Sequence, residues 1–380
     1  MVNSNGATCR ALEIDPAMKV LFDGQIFIAQ ATGGISRYYT MLATGLNAEP
    51  DVSARIIAPL HRNEHLSAHE SVPVWGVGFP SQWRGIRLCK LALGTLSPPL
   101  SLLLKSDIVH ETYFSQDPYL TSGKRRVTTV YDMIHEMFYP DSPTCVYKRA
   151  SLKRCDHAIC ISNNTKHDLC ERLKFPVERA SVTHLPYDDF SGFSGDEVPQ
   201  VLSELPYFLY VGNRPGHKNF ELLVRAFARQ PNLTRDFRIV CFGGGPLGDD
   251  ERAMVSQLGL SSRHLVQLSG GDRLLGAAYA HATAFVYPSL YEGFGLPPLE
   301  AMSAGCPVLC SNSSSLPEVV GDAALCFDPK DIDALSDAMD RVTQSEDLRQ
   351  DLVRRGHQRR RLFTRERCVR DTLNVYQSIL

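Results

Sequence analysis

The chain lacks an excess of either charge: 40 Lys and Arg stand against 42 Asp and Glu, a net charge of −2. A global basic field for gripping nucleic acid is therefore excluded. It also lacks a hydrophobic run of the 18 or so residues that a membrane-spanning helix requires. The nearest run, Leu91 to Leu104, is uncharged but interrupted by Pro98 and Pro99, and Arg84, Arg87, Lys90 and Lys105 flank it. Such a segment can lie on a bilayer or end a core helix at a proline turn, and both readings stay open. The eleven cysteines show neither C-x2-C nor C-x-x-C spacing, as the pairs Cys155/Cys160 and Cys306/Cys310 illustrate. They read as small buried hydrophobes. The opening residues carry no apolar leader, and with reduced thiols the expectation is a cytoplasmic protein. No 20–50-residue repeat is present.

What is there is an ordinary globular composition. Hydrophobic residues make up 43% and charged residues 22% of 380. That excludes disorder and fits about two or three domains at roughly 150 residues each. Short apolar runs recur at Lys19–Phe22, Ala54–Ala58, Asp107–Val109, Val127–Val130, Ala158–Ile161 and Val182–Leu185, with helical patterns at Ser36–Leu46 and Ser162–Leu173. A Ser, Gly, Pro and Asp-rich stretch follows, and the alternation then restarts. Strands are predicted at Tyr207–Val211, Arg238–Phe242, Leu265–Leu268, Ala284–Tyr287 and Pro307–Leu309, separated by helices and followed by helical segments over Ile332–Leu362. This pattern predicts an α/β protein with two Rossmann-like domains, 1–190 and 206–360, a linker at 191–205, and a last helix, 361–380, that crosses back to the first domain. Ligands are then expected at the carboxyl ends of strands, in a cleft between the halves.

Gly243, Gly245 and Gly248 fit the dinucleotide fingerprint G-x-G-x-x-G after a strand. Pro246 sits inside that turn, however, and Asp249, Asp250 and Glu251 occupy the helix start where a pyrophosphate would have to bind. Three carboxylates there repel it. A nicotinamide enzyme is the weaker reading.

The segment 288–307, PSLYEGFGLPPLEAMSAGCP, is richer. A strand delivers the chain into a glycine loop, Pro297 and Pro298 preset a helix start, and Gly305 suits the left-handed residue beyond its end. The helix N-terminus is an anion site in the making. Glu292 lies in the loop and Glu300 is placed in the first helical turn, where a cap with no ligand is the plain alternative. At the restart of the alternation, FLYVGNRPGHKNF sets Arg214 and Lys218 beyond a buried strand, which suits a phosphate pair. Asp331 and Asp333 form an Asp-x-Asp, but at a helix start, and no convincing metal cluster stands out.

These two blocks, together with FDGQIFIAQATGGISRYY, TTVYDMIHE and CISNNTKHDL, resemble the retaining glycosyltransferases of family 4, of GT-B architecture, in a bacterial mannosyltransferase-like branch. The likeness covers most of residues 19 to 345. It implies transfer of a sugar, mannose from GDP-mannose, to a hydroxyl of a polyprenyl-diphosphate-linked or polysaccharide acceptor. No metal or other cofactor is implied, because fixed positive charge does that work. The resemblance implies catalytic roles for Glu292 and Asp132, and a diphosphate held by Arg214 and Lys218 under the Gly33–Gly34 loop. It places the donor sugar and nucleoside against Gly293, Phe294, Gly295, Leu296, Glu300 and Gly244, and the acceptor near His135 and His110. The partners are then a nucleotide sugar and a lipid-linked or polysaccharide acceptor, with peripheral contact to anionic membrane and no nucleic acid. Lys124, Arg125 and Arg126 with Lys148, Arg149, Lys153 and Arg154 are candidate cations for that contact. The chain departs from its relatives at Tyr131, where many carry His, and at Asn213, where many carry Arg. Other donors (UDP-glucose or UDP-galactose) and a non-catalytic nucleotide-sugar-binding module remain the alternatives.

Overall fold

The computed structural model describes residues 17–67, 72–193 and 200–380. Cys9 and the leader region, and residues 194–199 of the expected linker, lie outside the described residues.

Among the described residues thirteen strands form two sheets. The first contains β1 (Met18–Asp23), β2 (Val52–His61), β3 (Val74–Gly78), β4 (Ile108–Glu111), β5 (Arg125–Val130), β6 (His157–Cys160) and β7 (Ala180–Val182), in the order β3-β2-β1-β4-β5-β6-β7. The second contains β8 (Tyr207–Val211), β9 (Arg238–Phe242), β10 (Leu265–Leu268), β11 (Ala284–Tyr287), β12 (Val308–Ser311) and β13 (Leu325–Phe327), in the order β10-β9-β8-β11-β12-β13. Every neighbouring pair of the second sheet runs parallel. In the first, β1 pairs in parallel with β2 and β4, β2 with β3, and β6 with β7. Parallel sheets bury both faces, so their strands are uninterrupted apolar runs. Tyr207, Phe208, Leu209 and Tyr210 of β8, and all of Ala284–Tyr287, are buried accordingly. Leu223, Phe227, Val286, Leu309 and Met339 close one face of the second sheet. Two parallel-sheet α/β domains of the GT-B kind are thus present.

The chain divides into two compact units, one reaching residue 113 and including 118–127, the other made of 114–117 and 128–379. The division falls inside β5, earlier than the composition shift at 191–205. Its cause lies in the second unit, where residues 131–184 are hydrogen-bonded to residues 293 and 318.

Three local expectations shift. β7 ends at Val182 instead of beginning there. The edge strands β3 and β13 and the helix Pro143–Arg154 carry no clear pattern in the sequence. The helix Ile86–Leu104 runs straight through Pro98 and Pro99 instead of turning at them. Prolines there remove the donors to the carbonyls of Gly94 and Thr95, and both residues face solvent, where water can replace the lost bonds.

Candidate active site

In the second sheet the strand order reverses between β8 and β11, the position where ligands gather in open α/β sheets. Each of these strands ends in a loop that reaches the other. Asn219, left-handed at φ 55°, donates through Nδ2 to the carbonyls of Pro288 (3.0 Å) and Pro329 (2.8 Å). The amide of Leu290 donates to the carbonyl of His217 (2.7 Å).

This stitching brings Lys218 onto Glu292. The ammonium donates to both carboxylate oxygens, at 2.7 and 3.0 Å, and to the Tyr287 hydroxyl at 3.2 Å. It also lies 5.4 Å from the centre of the Tyr287 ring. The Glu292 side chain is only 9% exposed and that of Lys218 23%, so one lysine offsets a charge that would otherwise be costly to bury. Burial, then the Glu292 carboxylate, push the Tyr287 phenol well up, so it remains a neutral hydroxyl beside the pair.

The loop 292–295 is held from several sides. The Glu292 amide donates to Ser314 Oγ (2.9 Å), and Ser315 Oγ reaches the carbonyls of Glu292 (2.9 Å) and Phe294 (2.6 Å). Ser162 and Thr165 donate to the carbonyl of Gly293, at 2.7 and 3.1 Å. Gly293 is a glycine by necessity: a Cβ there would come 1.8 Å from the carbonyl oxygen of Tyr131. The turn that carries Asp132 is therefore packed directly on the Glu292 loop. Asp132 Oδ1 accepts the amide of Ile134 (2.9 Å), and its carbonyl accepts from the buried Lys148 (2.8 Å).

Gly295 (φ 131°) turns the chain into the helix Leu296–Ser303, with prolines in the first turn as expected. The helix ends in a Schellman motif: Gly305 is left-handed (φ 74°), and the amides of Cys306 and Gly305 donate to the carbonyls of Ala301 and Met302. Glu300 sits in the second turn, not the first, so it caps nothing. It is half-buried and accepts from the Tyr279 hydroxyl (3.1 Å).

Arg214 departs from its expected role as a diphosphate ligand. It is 5% exposed and turned inward. Nε donates to Glu251 Oε1 (2.7 Å), Nη1 to the carbonyl of Gly243 (3.2 Å), and Nη2 to those of Gly245 (3.0 Å) and Pro246 (2.9 Å). Gly243, Gly244 and Gly245 are all left-handed, which aims their carbonyls at this one cation. Glu251 also caps the next helix by accepting the amide of Gly248 (2.7 Å). Of the acids that argued against a pyrophosphate, Glu251 and Asp249, the latter paired with Arg252, thus have structural partners, as does Asp331, the N-cap of Ile332–Gln344.

His135 lies with Phe138, Tyr139 and Asp141 along a cavity of about 460 Å³. His217, which the sequence reading passed over, packs 5.6 Å from the Phe138 ring. Burial lowers its pKa first, and Glu292 pulls the other way. His110 belongs to the first unit. It is wholly buried on β4, bonded to the Tyr39 hydroxyl (3.3 Å), and burial holds its pKa down to about 3. A neutral core histidine without exposed surface cannot meet an acceptor, which corrects that expectation. Gly33 and Gly34, also in the first unit, lead into the helix Gly34–Asn47, where the carbonyl of Gly33 accepts from Ser36 Oγ (3.0 Å).

Of the expected cationic cluster Lys124, Arg125, Arg149 and Lys153 are exposed, while the other three turn inward. Lys148 is buried against Glu136 (2.7 Å), Arg154 turns into the carbonyls of Ser115 and Gln116, and Arg126 pairs with buried Glu111. The arginines near the C-terminus return to residues 187–189: Arg360 donates to the Tyr187 hydroxyl and Asp189, and Arg365 pairs with Asp188. Among the described residues, eight of the ten cysteines are buried, and no three metal-ligating side chains gather.

Sequence comparison matches residues 32–189 to the family described as Glycosyltransferase Family 4 and residues 196–359 to Glycosyl transferases group 1. The chain is similar to the O-antigen chain mannosyltransferase B of Escherichia coli, at 33% identity over 67% of this chain and 70% of that protein. It is similar as well to the O-antigen chain mannosyltransferase RfbU of Salmonella typhimurium, at 30% identity over 59% of this chain and 62% of that one. A crystal structure of a glycosyltransferase from Rickettsia africae superposes with a TM-score of 0.68 at 16% identity, covering 95% and 98% of the two chains. With the switch-point site and the paired loops beyond β8 and β11, these likenesses place the chain in glycosyltransferase family 4, among its mannosyltransferase-like members.

Proposed function

We propose that this glycosyltransferase moves mannose from GDP-mannose, with retained anomeric configuration and without a metal, to a hydroxyl of a polyprenyl-diphosphate-linked or polysaccharide acceptor. The observation that carries the reading is the Lys218–Glu292 contact at the switch point of the second sheet. Breaking a sugar–phosphate bond leaves negative charge on the diphosphate and positive character on the anomeric carbon. The Lys218 ammonium, together with the positive dipole end of the helix Leu296–Ser303, suits the first charge, and the Glu292 carboxylate suits the second. A diphosphate arriving here competes with Glu292 for Lys218 and so frees the carboxylate for the sugar. With Arg214 committed elsewhere, Lys218 is the side chain that supplies this charge. The names of the curated relatives support mannose as the sugar and an O-antigen-type glycan as the product.

The test offers GDP-mannose, UDP-glucose and UDP-galactose to the protein and follows thermal unfolding, since a bound ligand raises apparent stability. Protection by GDP-mannose, with transfer persisting in excess EDTA and an α-linked product by NMR, is expected. Protection by a uridine sugar alone would reassign the donor, and binding without turnover would leave only a binding module. Lys218→Ala and Glu292→Ala should each lower kcat/KM by roughly 100-fold or more, the range for removing a group that stabilises developing charge. Near-native turnover in both would refute the assignment.

A further inference from the structure

Residues 288–295 belong to no helix or strand, so the direction of Glu292 is set by what the rest of the second unit bonds to this loop. Two elements grip Glu292 and its neighbours. The serine turn takes the backbone of Glu292 itself, through Ser314 and Ser315. The helix Asn163–Leu173, with its N-cap Ser162, takes the residue on either side. Ser162 and Thr165 hold the carbonyl of Gly293, and the Tyr291 hydroxyl donates to Asp168 Oδ2 at 2.7 Å. Asn164 Nδ2 donates to the same oxygen (2.9 Å), and the backbone of Met133, next to Asp132, bonds the Tyr291 hydroxyl. Tyr291 is buried with Val130, Met133 and Leu152. Burial, then Asp168, push its phenol up, so it stays a donor. Glu318 joins the two elements. It lies on the helix Leu316–Val320, directly after the serine turn, and its carboxylate caps the start of Asn163–Leu173. Both oxygens accept the amide of Asn163, at 2.9 Å, and Oε2 also accepts that of Asn164 (3.3 Å). Oε1 meets Asn163 Nδ2 and His184 Nε2, each at 2.7 Å.

We infer that Tyr291 and Glu318 are positioning residues for sugar transfer: acting through the helix Asn163–Leu173, they fix the backbone on both sides of Glu292, so that its carboxylate keeps its aim when a diphosphate draws Lys218 away. The inference rests on the reading of Glu292 as the group that meets the sugar. Lys218 holds the Glu292 carboxylate through both oxygens. A donor that engages the ammonium loosens that hold just when the carboxylate must stay in place, and the backbone anchors then carry the task. Misplacing a reacting group by about 1 Å can cost on the order of 100-fold in rate. The bonds of Tyr291 and Glu318 are made to protein groups, so their effect falls on kcat and leaves donor KM alone.

The test compares the wild type, Tyr291→Phe, Glu318→Ala and Glu318→Gln, each with and without Glu292→Ala. Release of nucleoside diphosphate from GDP-mannose, or from a uridine sugar if that is the donor that protects the chain, gives kcat and donor KM. Tyr291→Phe keeps the ring and its packing and loses the bond to Asp168. It should lower kcat about tenfold with donor KM within about twofold, and Glu318→Ala should do the same. Glu318→Gln keeps one acceptor oxygen at the helix start and should stay within about threefold of wild type. In the Glu292→Ala background these losses should vanish, because a residue that acts through Glu292 has nothing left to aim. Equal fold losses in the two backgrounds would reduce both residues to scaffold and overturn the inference, as would losses confined to KM. Should Glu318→Ala melt well below the wild type, Tyr291→Phe and Glu318→Gln carry the same comparison. Near-native turnover in Glu292→Ala alone would overturn the reading of that residue and this inference with it. A wild-type-like Tyr291→Phe beside a crippled Glu292→Ala would overturn the inference only.

Discussion

Arg214 is the residue where position and role part company. It follows β8 by three residues, within reach of the Lys218–Glu292 pair by sequence, yet its guanidinium is spent on Glu251 and on carbonyls of the 243–246 turn. A planar fork can serve several acceptors at once, and a lysine ammonium cannot. Arg214→Lys should therefore lower the unfolding free energy by about 2 kcal/mol, because at least one buried acceptor is left unmet. The turn that includes Gly244 should loosen with it, raising donor KM roughly tenfold while kcat holds within about threefold. Urea unfolding and steady-state kinetics check both. A large fall in kcat at unchanged stability would return Arg214 to the diphosphate. Lys218 and Glu292 were legible in the sequence because each follows a strand end that fixes its place. Arg214 was not, because its direction is set by Glu251, distant in sequence, and by three left-handed glycines whose carbonyls converge. The serines that hold the Glu292 loop had one overlooked signal, the run SNSSS after the Pro307–Leu309 strand.

Elements of the second sheet were legible nearly to the residue, since strands buried on both faces are unbroken apolar runs between turn signals. The first sheet's edge strand β3, VWGVG, has four of five residues exposed and no alternation to betray it, and β13 spans three residues. The helix Pro143–Arg154 hides for another reason: it buries a lysine, Lys148, whose partner Glu136 is on a different element. Contacts between elements are equally invisible in sequence, and Gly293 is the clearest case. Gly293→Ala should cost about 3 kcal/mol, toward the upper end of overpacking effects, because the obstacle is a backbone carbonyl that cannot rotate away. It should also depress kcat/KM strongly by prising the Glu292 loop from the Asp132 turn. Gly245→Ala is the control for stability: it meets open space and carries only the left-handed penalty (φ 71°), about 1 kcal/mol. Equal stability losses in the two variants would show that the loop yields to the added methyl, and the close approach of Tyr131 to position 293 would have to be redrawn.

Across the whole molecule, buried histidines set how stability responds to acid. In the first unit burial lowers His61 to about 4 and His110 to about 3, whereas Asp23, raised to about 6 by burial and then by Glu111, acts in the opposite sense. In the second unit His157, His217 and His357 are all lowered, burial again being the first cause. A histidine depressed in the folded state binds its proton more readily when unfolded, so its contribution is complete above pH 6.5 and fades as pH falls below that value. Asp23 gains over the range from about 6 down to 3.8. At about 1.4 kcal/mol per pKa unit, the two histidines of the first unit against Asp23 leave a net loss on the order of 4 kcal/mol by pH 4. A second decline joins below the ordinary glutamate range. Burial opposes the charge on Glu318, yet hydrogen bonds from His184 and Asn163 outweigh it, and Arg214 does the same for Glu251, so both carboxyls are held low. Melting temperature should thus fall from pH 6.5 downward and steepen below about 4.5, with His110→Asn flattening the upper limb. A Tm that is level from pH 7 to 5 would mean that these rings are hydrated in solution, and the packing of His61 and His110 would have to be redrawn.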